Sequence, residues 1–140
     1  MVTLDVDKGA NIRASATIDH IKKAFGIYHI TSWSDTKLYS GIMSSLNLAP
    51  TDQDILNGEW HMRNPRVDPA STRIDFQRSF FTPPRVVVFF NLIDLEKNCN
   101  WRLKTTATEI DTHGFTLNIE TWDDTILHAA RVGWIAYPPD

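Results

Sequence analysis

Residues 114–120 read Gly-Phe-Thr-Leu-Asn-Ile-Glu, an alternation of apolar and polar side chains with period two. Successive side chains of a strand point to opposite faces, so this pattern predicts a half-buried strand with Phe115, Leu117 and Ile119 turned to a core. Residues 86–92 are apolar at every position but Asn91 and rich in valine and phenylalanine, which predicts a strand covered on both faces. Pro83 and Pro84 stand just before it, and having no amide donor they mark where pairing begins. Further strands are predicted at 58–63, 73–78, 101–110 and 126–137, with turns at 112–114 and 123–125. Six short antiparallel strands in roughly ninety residues predict an all-β fold, a compact six-stranded antiparallel β-sandwich.

The chain also repeats itself. Residues 4–13 (LDVDKGANIR) align without a gap on residues 93–102 (IDLEKNCNWR), and the same offset sets 31–36 (TSWSDT) on 120–125 (ETWDDT) and Pro50 on Pro139. About a dozen identities in about fifty positions is modest, but they fall on Asp, Asn, Arg, Trp and Thr rather than on interchangeable aliphatics. Residues 1–50 therefore read as a partial repeat, equivalent only to the C-terminal half of the unit that residues 51–140 contain whole. Residues 49–54 are polar and proline-marked, as a linker between units would be. Residues 18–25, with Lys22 and Lys23, have a spacing compatible with one or two helical turns. Their counterpart in the second copy is a strand and turn, and that is the reading preferred. A lone half sandwich exposes unpaired edges and an apolar face, so residues 1–50 are expected either to pack on 51–140 or to borrow strands from another chain.

Composition narrows the function classes. The 140 residues suffice for one domain, or one and part of another, and the net charge of -3 supplies no basic field to hold a nucleic-acid backbone. The longest apolar run, 85–93, falls far short of the roughly 20 residues of a spanning helix, so no membrane insertion is expected. Cys99 is the single cysteine and no basic-then-apolar leader follows Met1, which points to the cytoplasm or to secretion without a recognisable signal. His20, His29, His61, His113 and His128 show no metal-ligand spacing, and no nucleophile elbow, P-loop or dinucleotide motif is present. Neither a metal, a cofactor nor an enzyme is expected.

Taken in order, Ile74-Asp75-Phe76, Phe80, Pro83-Pro84, the strand ending in Leu92-Ile93-Asp94, Asn100-Trp101-Arg102, Gly114-Phe115, Trp122-Asp123-Asp124-Thr125 and Val132-Gly133-Trp134-Ile135-Ala136 resemble the H-type lectin pattern. The resemblance covers roughly residues 57–138. It implies a six-stranded antiparallel sandwich that assembles as a homo-oligomer, with a trimer favoured, and binds glycans ending in N-acetylgalactosamine (GalNAc) or galactose. It also implies a site, made of Arg102, Trp122, Asp123 and His128 with an acidic residue from an earlier loop. Asp68 is the choice for that residue, with Asn64 and Arg66 as neighbours able to serve instead. His128 stands where relatives often have tyrosine, and Asp123 where the snail protein has histidine. The first copy carries a possible second site at Arg13, Trp33, Ser34 and Tyr39, with Ser34 in place of Asp123.

The chemistry is sound without the name. A galactose-type sugar presents axial and equatorial hydroxyls that suit a planar guanidinium and a carboxylate, and charge-assisted hydrogen bonds are the strong ones. An indole lies well against the apolar C–H face or an acetamido methyl, and His128 adds a ring nitrogen as donor or acceptor. Each residue also has a plainer reading. Trp122 taken alone is more often a packing residue, as Trp60 and Trp134 are expected to be, and Arg102 on a strand is more often one partner of a solvated ion pair. Asp124-Thr125 and Asp35-Thr36 are expected to bond their own turns. Two rival classes follow: a structural or assembly sandwich that has lost sugar binding, and a glycan-processing enzyme.

Overall fold

The computed structural model describes residues 3–22, 25–48 and 52–139. Ten strands follow in chain order: β1 (Thr3–Val6), β2 (Ile12–Lys22), β3 (Phe25–Ser32), β4 (Leu38–Ile42), β5 (Leu56–Met62), β6 (Ser71–Asp75), β7 (Arg85–Leu95), β8 (Leu103–Thr108), β9 (Gly114–Thr121) and β10 (Leu127–Tyr137). Among the described residues there is no helix, and every ladder is antiparallel. Strands β5 to β10 supply two layers, β7-β10-β5 in one and β6-β9-β8 in the other. The six-stranded sandwich expected from the pattern is there, with strand ends shifted by a few residues.

The alternation in β9 sets the core. Phe115, Leu117 and Ile119 are 0%, 1% and 4% exposed, and Val132 and Trp134 of β10 meet them from the facing layer. Phe115 and Trp134 pack edge to face with centroids 5.6 Å apart, and Phe76 lies 5.9 Å from each. Trp60 and Trp134 are packing residues, as expected. Gly114 lets the layer close: a Cβ there would sit 2.2 Å from the carbonyl oxygen of Ile74, so β6 could not pair with β9.

One expectation fails in β7. Val86, Val88 and Phe90 pack on the core, but Val87 and Phe89 are 47% and 40% exposed, so the strand is covered on one face rather than both. An apolar run carries no mark of which face is covered.

Residues 12–15 extend the layer. They pair with the other edge of β7 as Ile12↔Leu95, Arg13↔Asp94, Ala14↔Ile93 and Ser15↔Leu92, giving the order β3-β2-β7-β10-β5. Residues 12–15 thus pair with their own chain in this structure. Asn11 accepts a hydrogen bond from the amide of Lys97 at 3.0 Å, and Arg13 Nε lies 3.4 Å from Asp94 Oδ1. Two ladders recur at the offset of the sequence repeat. The β2–β3 pairs from Ala14↔Ser32 to Asp19↔Ile27 match the β8–β9 pairs from Leu103↔Thr121 to Thr108↔Thr116. The β1–β4 pairs, Leu4↔Gly41, Asp5↔Ser40 and Val6↔Leu38, match Ile93↔Ala130, Asp94↔Ala129 and Leu95↔Leu127, register slip included. Residues 18–22 and Phe25 are strand, while Lys23 and Ala24 lie outside the described residues. So do Ala49, Pro50 and Thr51 of the expected linker.

Candidate functional site

Strand β9 ends at Thr121 and β10 begins at Leu127, and the turn between them carries Trp122, Asp123, Asp124 and Thr125. Asp123 takes a left-handed backbone, φ 61°, a conformation that Asp tolerates better than most residues. The turn leans on the loop joining β7 to β8. Thr125 Oγ1 donates to the carbonyl of Asn100 at 2.7 Å and accepts from the amide of Arg102 at 2.9 Å. Asp124 accepts from the amide of Asn100 at 3.3 Å and from Arg102 Nη1 at 2.6 Å.

Asp124 and Thr125 therefore clamp a neighbouring loop instead of bonding their own turn. The turn closes only through the backbone bond from Thr125 N to Trp122 O at 3.4 Å, which leaves both side chains free to reach across. The first copy does the same: Thr36 Oγ1 donates to Asn11 O at 2.6 Å and accepts from Arg13 N at 3.0 Å, and Asp35 holds Arg13.

This clamp brings Arg102 and Asp123 together, and Trp122 is the residue before Asp123 in the same turn. Arg102 Nη1 is 3.6 Å from Asp123 Oδ2 and its side chain is 30% exposed, and Trp122 is 51% exposed. His128 on β10 sits on Glu96, Nε2 to Oε2 at 2.9 Å. Glu96 is tied in further, donating its amide to Ile126 O at 3.0 Å and accepting Trp101 Nε1 on its carbonyl at 2.9 Å. Asp68 is not joined to the others: its carboxylate accepts the amides of Arg63 and Asn64, at 2.7 and 2.8 Å, and so folds its own loop. The end of that loop is tied to β9, where the carbonyl of Ala70 accepts from Ile119 N at 2.8 Å. Of the neighbours weighed beside Asp68, Asn64 accepts the amide of Arg66 at 3.1 Å.

Sequence reading missed Glu96 and underrated Asp124. Asp124 had a usable signal, the recurrence of an Asp at position 35 of the repeat beside a recurring Arg13. Glu96 had a weaker one, the acid at Asp7 in the first copy.

The second arginine is less available. Arg13 binds Asp35 and lies against Asp94, with its side chain only 18% exposed. Trp33 is 38% exposed, Ser34 repeats the left-handed turn at φ 59°, and Tyr39 on β4 faces solvent. Among the described residues no group of three or more His, Cys, Asp or Glu is arranged to hold a metal.

The Asn100 amide, and after it Arg102, hold the Asp124 carboxyl below the ordinary 3.8, and His128 holds Glu96 below the ordinary 4.5. A carboxylate whose folded pKa is depressed stabilises the fold fully above its unfolded pKa and loses that contribution as pH falls through the folded value. Thermal stability is therefore expected to hold down to about pH 5 and to fall below about pH 4. Asp124→Asn is expected to flatten part of that fall in a series of melting curves; an acid limb of the same size in the variant would remove Asp124 from it.

The described residues thus give an all-β sandwich with an indole and a guanidinium exposed on loops that one clamp joins. Residues 71–137 match the family model of the H-type lectin domain, and the resemblance read from the sequence stands on that span. A protein of Fuscovulum blasticum described as "ATP synthase subunits region ORF 7" is 31% identical over 70 residues, which cover 49% of this chain and 61% of that one. Recombinant discoidin II of Dictyostelium discoideum superposes with a TM-score of 0.53 at 14% identity, over 92% of this chain and 66% of its own. Wild-type discoidin II gives 0.52 at 13%, over 91% and 64%. The chain thus spans less than two thirds of each of these proteins. The discoidin II likeness is one of fold, and the match of residues 71–137 to the lectin-domain model supports a carbohydrate-binding role in general.

Proposed function

We propose that the protein is a lectin for glycans ending in GalNAc or galactose, acting by multivalent adhesion or agglutination and not by catalysis. The reading rests on one observation above all: Trp122 is half exposed in a turn that Asp124 fastens to Arg102 at 2.6 Å. In this reading the ring supplies an apolar face and Arg102 a charged hydrogen-bond donor, which is what a hexose with one C–H face and several hydroxyls requires. Asp123, His128 and the loop residue Asp68 complete the proposed set. Residues 51–140 form the complete unit and residues 1–50 a half unit with a weaker site at Arg13, Trp33, Ser34 and Tyr39. A single open site binds weakly because association costs offset a small contact area. Several sites on a homo-oligomer, a trimer being favoured, compensate through effective concentration.

The test is a glycan array with free-sugar competition, joined to agglutination of glycan-coated beads. Signal is expected on terminal GalNAc or galactose, and free GalNAc or galactose is expected to abolish agglutination. The rival reading, an assembly module without sugar binding, is favoured by the same Arg102–Asp124 pair, which already satisfies much of the guanidinium. Array silence from a folded, assembled protein would decide for that rival, and turnover of a chromogenic galactoside would decide for an enzyme.

A further inference from the structure

Where one copy of the repeat meets the other, the structure supplies a pattern for a contact it does not contain. Residues 12–15 add to the edge of β7 at 92–95. In the repeat, 12–15 correspond to 101–104 and 92–95 correspond to 3–6. Those two counterparts are free edges: among the described residues β8 pairs only with β9, and β1 only with β4. Burial separates used from unused. Ile12, Ala14 and Ser15 are 5%, 0% and 8% exposed, whereas Trp101, Arg102 and Leu103 are half-buried and Lys104 is exposed. Asp5 is likewise exposed, although its counterpart Asp94 lies against Arg13.

We propose that the edge 101–104 is a docking site for the β1 edge of a second copy of this chain. The register follows from the internal junction: Val6 opposite Trp101, Asp5 opposite Arg102, Leu4 opposite Leu103 and Thr3 opposite Lys104. Charge supports it, because Asp5 faces Arg102 as Asp94 faces Arg13 in the junction already made. Shape supports it too. An open cleft of about 550 Å³ borders this edge, lined by Asn98, Cys99, Asn100, Trp101 and Arg102 with Lys8. Unpaired strand edges are ready templates for another chain. The contact is head-to-tail: each copy offers a β1 edge and a β8 edge, so it propagates and closes into a ring when the rotation permits. It calls on the same Arg102 that the proposed function gives to the sugar, so the two compete for one guanidinium; it rests on the repeat and not on sugar binding, and array silence leaves it standing.

The test is sedimentation equilibrium of the full chain without sugar, from micromolar to near-millimolar. Wild type is expected to associate. Asp5→Arg, which sets two arginines opposite each other, is expected to raise the dissociation constant at least tenfold, and the double variant Asp5→Arg with Arg102→Asp is expected to recover most of the association. A carbodiimide cross-link between Asp5 and Lys104, formed between isotopically light and heavy wild-type chains, gives a readout that needs no variant. A monomeric wild type, association untouched by Asp5→Arg, or cross-links that form only within one chain would each overturn the proposal. Untouched association would send the search to the exposed apolar face around Ile18, Ile21 and Phe25.

Discussion

Trp122→Ala is expected to remove glycan binding while leaving the fold in place. The ring is 51% exposed, so truncation uncovers little core, and the turn keeps its backbone bond from Thr125 to the Trp122 carbonyl. Substitutions at such exposed positions usually change stability by no more than about 0.5 kcal/mol. Binding is different, because an aromatic platform is the kind of residue that carries a small interface. Losing it costs on the order of 2 kcal/mol or more, roughly thirtyfold in Kd, which for a weak single site leaves nothing to detect. Isothermal titration with free GalNAc and a melting curve, run on the same preparation, separate the two effects. Trp122→Phe is expected to keep part of the affinity. Full affinity in the alanine variant would return Trp122 to the status of an ordinary surface residue.

Phe115→Ala is expected to have the opposite profile, with stability lost first. Phe115 is fully buried and packs on Phe76 at 5.9 Å and Trp134 at 5.6 Å, so its removal opens a cavity between three rings rather than a dent at the rim. Truncations of this kind cost about 3–5 kcal/mol, a large share of the roughly 5–15 kcal/mol that holds a typical domain together. A fall in Tm of roughly 10 °C or more is expected from calorimetry. A fall of only a degree or two would mean that Phe76 and Trp134 collapse into the space.

The contrast between these two residues shows what sequence can carry. Phe115 was legible because period-two alternation states directly which side of a strand faces inward. Trp122 had no such periodicity, and its placement outside the core followed only from its position in a polar turn and from the family resemblance. The open face at Val87 and Phe89 was illegible, since nothing local to an apolar run records whether a second layer covers it. Asp124 was misjudged because local rules favour turn residues bonding their own backbone, whereas its partners Asn100 and Arg102 lie more than twenty positions away. The same distance hid Glu96 from His128. The attachment of residues 12–15 to β7 was one of two arrangements that the repeat allowed, and choosing between them took three dimensions.

The corner at Glu96 and Lys97 has a consequence of its own. Its two consecutive amides answer to different parts of the molecule: one is spent on Ile126 at the start of β10, the other on Asn11 from the first fifty residues. Deuterium uptake at Lys97 is thus a gauge of how firmly the N-terminal segment grips. It is read one residue from Glu96, which holds His128 at 2.9 Å, so a loosening of that grip is felt next to the partner of the imidazole.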